Sequence, residues 1–283
     1  MRSIGNSICL LLYSSLQQQN QDYFINELEK NIKKFALQST DAPLKISPYL
    51  QQQFSRQLTR SIPESVTNQD FTILTNSSSS TVSNSLIEFS KYMKEANRFN
   101  LHIIVCESRP ALEGLNSATN FCKQQIKTSV ICDAAIGSLV VPKSVHCQSQ
   151  LDGVVIGSDC VVVETNEQQQ HEIYIVNKTG SLYLSMVAKM GNLPIFILCD
   201  TTKITFVDDI TAFKDQLEQG EANELLSTEM QNLGISAINP TFELIPFDDT
   251  HTVIISEKGV LKKQDVIEMA AIAKKASELL ELD

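Results

Sequence analysis

DGVVIGSDCVVVETNEQQQHEIYIVNKTGSLYLSMVAKMGNLPIFILCD, residues 152–200, decides the architecture of the chain. Gly153, Val154, Val155 and Ile156 form an apolar run too short for a helix and rich in β-branched residues, the pattern of a buried strand. Gly157-Ser158-Asp159 stands at its carboxyl end. After a polar stretch, Asn177-Lys178-Thr179-Gly180 leads into an amphipathic helix with Leu182, Met186 and Met190 on one face. Leu193-Pro194 then introduces a second buried run, Ile195 to Cys199. Strand, polar loop, helix and strand make the βαβ unit of a parallel sheet, whose ligands bind outside the carboxyl ends of the strands. Asp159 and the pair Asn177-Lys178 both fall at that edge.

Outward from this unit the texture divides. Up to about residue 68 there is no strand alternation. Ile8, Leu11, Leu12 and Leu16 recur at helical spacing, as do Phe24, Ile25, Leu28, Ile32 and Phe35. Tyr49, Phe54 and Leu58 predict a further helix ending before Ile62-Pro63. Beyond Pro63, short apolar runs alternate with helical patterns: Phe71–Leu74, a helix around Val82–Tyr92, His102–Val105, a helix around Asn116–Gln125, and Ser129–Cys132. Thr252–Ile255 and a helix from Lys263 close the series. The expected fold class is α/β, with a helical domain over residues 1–68 and a Rossmann-like domain with a mainly parallel sheet over 69–283. Residues 205–245 read as a long surface excursion with a helix near Glu221–Met230.

The 283 residues suffice for a substantial core, and 42% hydrophobic against 20% charged residues is a globular balance. A net charge of -10 argues against a general nucleic-acid binder. No run approaches the ~20 apolar residues of a membrane span, and the N-terminus lacks a small-residue cleavage site. Of seven cysteines, Cys106, Cys132, Cys160 and Cys199 border strand-like runs and read as buried reduced thiols in a reducing, cytoplasmic compartment. His146-Cys147 and the pair His102 with Cys106 find no matching second pair, so no metal site is expected.

Four loops stand at predicted strand ends. Thr75-Asn76 with Ser77–Ser80 offers hydroxyls and backbone N–H groups at a helix N-terminus, either an anion site or an ordinary cap. Glu107-Ser108-Arg109-Pro110 carries a guanidinium that grips phosphate or serves a surface ion pair. Asp133 follows the third strand, where an Asp commonly caps a helix. Asp159 is a candidate acid or base, with Asn177 and Lys178 as hydroxyl or phosphate ligands. No glycine-rich nucleotide loop occurs.

In chain order, Ile73-Leu74-Thr75-Asn76-Ser77, Glu107-Ser108-Arg109-Pro110 with Gly114, Cys132-Asp133-Ala134-Ala135, Ile156-Gly157-Ser158-Asp159 and Asn177-Lys178-Thr179-Gly180 resemble one family. It is shared by the alpha, beta and delta subunits of translation initiation factor 2B and by the ribose-1,5-bisphosphate and methylthioribose-1-phosphate isomerases. Phe247-Asp248 and Ile254–Leu261 extend the resemblance, which covers the chain from residue 70 onward. Arg2-Ser3-Ile4-Gly5 faintly resembles the basic segment that helps to bind phosphate in the enzymes.

The resemblance implies a catalytic Cys in the first loop and Asp in the fourth. Asp159 is present, but Ser77 stands at the Cys position, and a hydroxyl cannot supply a thiolate near neutral pH. The expectation is therefore a non-catalytic, alpha-like regulatory subunit of the guanine nucleotide exchange factor for initiation factor 2. By resemblance its partners are other initiation factor 2B subunits, the phosphorylated alpha subunit of initiation factor 2 and a second copy in a homodimer, with no membrane or direct nucleic-acid contact. No cofactor is expected. Ser77, Arg109, Asp133, Asp159, Asn177 and Lys178 would line a retained sugar-phosphate pocket. The alternative is a sugar-phosphate isomerase acting on ribose 1,5-bisphosphate or methylthioribose 1-phosphate. A sugar-phosphate-binding protein with neither role also fits these residues.

Overall fold

The computed structural model describes residues 41–56, 69–96, 99–140 and 151–279, with residues 30, 32 and 33 of an earlier helix. The helices expected through Ile8–Leu16 and over most of Phe24–Phe35, the segment Arg2–Gly5 and the stop at Ile62-Pro63 lie outside the described residues.

Seven strands form the main sheet: β1 (Gln69–Thr75), β2 (Phe99–Cys106), β3 (Lys127–Ile131), β4 (Gly153–Gly157), β7 (Ile195–Leu198), β10 (Thr252–Ser256) and β11 (Gly259–Leu261). Their order is β11-β10-β7-β4-β1-β2-β3, parallel throughout except for β11. The chain builds outward from β1 through β2 to β3, then returns to β4 on the other flank. The order therefore reverses between β1 and β4, and at such a switch point the loops at the carboxyl ends part and leave a crevice.

Both sheet faces are covered, which is why the central strands read as unbroken apolar runs rather than alternations. Leu74, Val154, Ile156, Ile195 and Ile197 point to one core, and Ile73, Val155, Phe196 and Leu198 to the other. Helix α1 (residues 41–56) places Ala42, Ile46, Leu50 and Phe54 on one stripe against that second core. Helices α2 (Ser80–Ala96) and α3 (Glu113–Lys123) connect β1, β2 and β3.

A second sheet departs from the expected polar loop. Strands β5 (Cys160–Thr165) and β6 (His171–Lys178) pair antiparallel, and with β8 (Ile204–Phe206) and β9 (Phe242–Pro246) they give the order β8-β5-β6-β9. The Gln168–Gln170 triplet lies in the hairpin turn, where Asn166 Oδ1 accepts from the backbone N–H of Gln168 and Gln170.

Helix α4 (Ser181–Met190) follows β6, but its face is rotated from the one expected. Leu184, Val187 and Ala188 are buried with Ser181 and Ser185, while Met186 and Met190 face outward. Small residues let the helix approach the sheet closely, and the long methionines are left on the far side. The excursion after β8 holds two short helices, α5 (Ile210–Asp215) and α6 (Thr228–Asn232), and a 3-10 turn at Ala222–Glu224 in place of the helix expected at Glu221–Met230. Helix α7 (Lys263–Leu279) closes the fold against β8. Among the described residues no helix is long and apolar enough to cross a membrane.

At the opposite end of the strands, Asp152 bridges β4 to β1. Its Oδ2 accepts from Thr72 N–H at 2.7 Å, and its own N–H donates to the Thr72 carbonyl at 2.8 Å. Burial pushes the carboxyl up to about 6, against the opposing pull of the Thr72 hydrogen bond. The folded state thus binds this proton more tightly than the unfolded chain, whose Asp titrates near pH ~4. Stability falls as pH rises through the window from about 4 to about 6, and the cost is fully present above it. Asp152→Asn keeps an acceptor for Thr72 without the charge. It should raise stability near pH ~8 by about 1–2 kcal/mol after allowance for solvent screening, and flatten the pH dependence. Thermal melts across this range that leave wild type and variant parallel would refute the assignment.

Candidate functional site

The site lies where the order of the sheet reverses. β1 ends in Thr75, and Asn76-Ser77 turns the chain toward α2, with Ser77 at a φ of 59°. Ser79 Oγ caps the helix by accepting from Val82 N–H at 3.3 Å. The turn presses against the end of β4, where a Cβ on Gly157 would stand 2.9 Å from Ser79 Oγ. Glycine there lets the first and fourth loops meet.

Ser77 is fixed on every side. Its N–H donates to Ser108 Oγ at 2.7 Å, and its carbonyl accepts from Ser117 Oγ at 2.8 Å. Its own Oγ donates to Glu113 Oε2 at 2.7 Å. The other oxygen of Glu113 lies 3.2 Å from Lys178 Nζ, which also sits 4.9 Å from the Phe242 ring centroid. A hydroxyl, a carboxylate and an ammonium group drawn from three separate elements thus form one chain.

Asp133 plays a supporting part. Its two oxygens accept from the backbone N–H groups of Ser108 (2.9 Å) and Arg109 (2.7 Å), which fixes the second loop. The exposed Arg109 side chain pairs with Glu107, its Nε 3.7 Å from the carboxylate. Asn177 is buried and donates to Ser181 Oγ at 2.8 Å, and Asn76 donates to the same oxygen at 2.9 Å. Asn76 Oδ1 and Thr75 Oγ1 are buried without a hydrogen-bond partner among the described residues.

Asp159 stands at the end of β4, its N–H donating to the Val176 carbonyl at 2.9 Å. The residue is exposed, although the strand ends desolvate part of its carboxyl. That desolvation holds its carboxyl above the ordinary range, Lys203 and Lys178 oppose the rise, and Glu113 adds to it. Cys106, at the end of β2, offers no ready thiolate, because burial pushes it up to about 12. Cys106, Cys160 and Cys199 are buried as expected, whereas Cys132 is exposed.

Around this chain is a cavity of about 290 Å³. Ser77, Arg109, Glu113 and Lys178 line one side, and the excursion supplies the other through Glu218, Glu221, Glu224 and Asn239. Of the six residues expected to line a pocket, Ser77, Arg109 and Lys178 do so, Asp159 does not, and Asp133 and Asn177 brace the neighbouring loops. Glu113 was not among them. Only its place beside Gly114 in the Arg109–Gly114 loop hints at it, and no spacing rule marks it. The N-terminus of α4, which a phosphate could occupy in principle, is taken by Glu243, whose Oε1 accepts from Leu182 N–H at 2.6 Å. Among the described residues no group of three or more His, Cys, Asp or Glu is placed to hold a metal ion.

A parallel sheet with a polar cavity at its switch point defines a Rossmann-like fold. By its sequence the chain belongs to the initiation factor 2 subunit family, which matches residues 1–263. The methylthioribose-1-phosphate isomerase of Bacillus cereus is 25% identical over 190 residues, which cover 65% of this chain and 49% of that protein. The chain spans about half the length of the curated relatives it matches. Among solved structures, subunit delta of the translation initiation factor eIF-2B from A. fulgidus superposes with a TM-score of 0.61, at 18% identity over 92% of this chain and 69% of that one. The 5-methylthioribose 1-phosphate isomerase from Pyrococcus horikoshii OT3 gives 0.59, at 18% identity over 93% and 66%.

The curated relatives correct the expectation of a non-catalytic regulatory subunit, since those proteins carry the name of an isomerase. That expectation rested on the lost thiol alone. It took no account of a carboxylate 2.7 Å from the hydroxyl that replaces it.

Proposed function

We propose that this chain is an isomerase that converts an aldose 1-phosphate to the ketose 1-phosphate. The observation that carries the reading is the chain of Ser77, Glu113 and Lys178 along one cavity, at the strand ends where Asp159 also lies. Such a reaction removes a proton at one oxygen and delivers one at another, and two carboxyls in unlike environments divide those tasks. Asp159, the acid that the resemblance assigns, is held above the ordinary carboxylate range by desolvation. Lys178 and Arg109 offer cationic donors to the phosphate. Asn177 and Asp133 keep the loops in register.

The charge of the cavity selects among sugar phosphates. Against Arg109 and Lys178 stand Glu113, Glu218, Glu221 and Glu224. A second phosphate would face the acidic wall of the excursion at unfavourable Coulombic cost. Of the two candidate substrates, the singly phosphorylated methylthioribose 1-phosphate is therefore preferred over ribose 1,5-bisphosphate.

The test is direct turnover of both compounds by the purified chain, followed by phosphorus NMR. Conversion of the monophosphate should exceed that of the bisphosphate, and Asp159→Asn should lower kcat by about 10²–10⁴-fold. Absence of conversion of either compound at saturating concentration would end the isomerase reading.

A further inference from the structure

We infer that Glu113 is the proton acceptor of this site and that Ser77 is its positioning residue. The inference rests on the isomerase reading; the resemblance places Ser77 at the catalytic Cys position and gives Glu113 no role.

The chemistry sets what is needed. When an aldose 1-phosphate becomes a ketose 1-phosphate, the bond from C1 to the ring oxygen breaks and the hydrogen on C2 moves to C1. The C2 hydroxyl becomes a carbonyl. The ring oxygen gains one proton and the C2 hydroxyl loses one, with no net oxidation. One group must therefore give a proton and another must take one. Ser77 can do neither near neutral pH, since a hydroxyl stays protonated there and is a poor acid. Glu113 lines the cavity, accepts the Ser77 hydrogen bond at 2.7 Å and is paired with Lys178 at 3.2 Å. Its carboxyl group thus borders the cavity while Ser77 and Lys178 hold it. The proton leaves the C2 hydroxyl for Glu113, while Asp159, the acid that the resemblance assigns, relays one to the ring oxygen. Solvent resets the pair after release.

The local geometry fits this division. Ser77 is locked through its N–H, its carbonyl and its Oγ, so its hydroxyl fixes the Glu113 carboxylate rather than roaming. Glu113 is the first residue of α3, which sets the direction of its Cα–Cβ bond, while Lys178 holds the far oxygen. A carboxylate pinned at both oxygens faces the substrate in one orientation, which is what proton transfer at hydrogen-bond distance requires.

The decisive variants are Glu113→Gln, Glu113→Ala and Ser77→Ala, assayed with methylthioribose 1-phosphate. Glu113→Gln keeps the shape and the Ser77 contact but cannot take up a proton. Its kcat should fall by about 10²-fold or more with KM changed only a few-fold. Ser77→Ala should lose about 10-fold or less, as a positioning residue does. Added formate should restore part of the turnover of Glu113→Ala, a rescue that a merely structural loss would not show. Retained melting temperature of Glu113→Gln establishes that folding is intact. Wild-type turnover with an unimpaired Glu113→Gln, or an inactive Ser77→Ala beside it, would overturn this assignment and leave the isomerase reading standing. A wild-type protein without turnover would overturn both.

Discussion

Phe54→Ala is expected to lower the unfolding free energy by about 3–5 kcal/mol, the range found when a fully buried Phe is truncated. Phe54 is wholly buried at the end of α1 and joins that helix to the main sheet. Its ring centroid lies 4.8 Å from Phe71 of β1, 4.6 Å from Phe196 of β7 and 5.2 Å from Phe89 of α2. Two of these contacts are edge-to-face, the arrangement favoured by the ring quadrupole, so truncation removes more than buried area. A Cβ on Gly153 would lie 3.2 Å from the same ring, so the β4 backbone packs directly against it and cannot close a void without moving the sheet. For a chain of this size the melting temperature should drop by roughly 6–15 °C. Circular dichroism melts of the whole chain measure this. A loss below about 1 kcal/mol would mean that α1 is not docked on the sheet, because a solvent-facing Phe costs little to remove.

The parallel sheet was legible because burial on both faces leaves an unmistakable mark. Val154, Val155 and Ile156 have no polar alternation, and the same is true of Ile195 to Leu198. The hairpin of β5 and β6 was not read, although Val161 and Val163 pair across from Ile175 and Ile173 in the same core. The glutamine-rich turn between them masked the period of two, and the turn is made by Asn166 rather than by glycine or proline. Helix α4 was legible as a helix but not in its orientation. Methionine spacing suggested a core face, whereas close packing against the sheet selects Ser181, Ser185 and Ala188. In the site, Ser77, Arg109 and Lys178 could be found because strand ends can be located and polar residues just past them counted. Glu113 could not, since its partner Ser77 is 36 positions away and the carboxylate gains meaning only from that contact. The lost thiol was a true feature of the sequence, and the curated relatives overturn the conclusion drawn from it.

Gly114→Ala is expected to be the most damaging single methyl group in the site. A Cβ at this position would stand 1.8 Å from the Cys106 carbonyl oxygen and 3.1 Å from Ser108 Oγ. The first distance lies far inside van der Waals contact, and the obstacle is backbone at the end of β2, which cannot rotate away. The start of α3 must therefore shift outward and carry Glu113 with it. Ser108 Oγ, which accepts the Ser77 N–H and donates to that same Cys106 carbonyl, is displaced in the opposite sense. The substitution thus separates Glu113 from Ser77 by moving both, with neither residue altered. Overpacking of this kind costs about 1–3 kcal/mol of stability. The loss of registry between the two side chains should cost about 10²-fold or more in kcat/KM, as displacements of an ångström do where reacting groups are held by position. Melting and turnover measured on the same preparation separate the two effects. A variant that melts and turns over like wild type would place α3 farther from β2 than this packing requires, and the Ser77–Glu113 contact would then lose its structural basis.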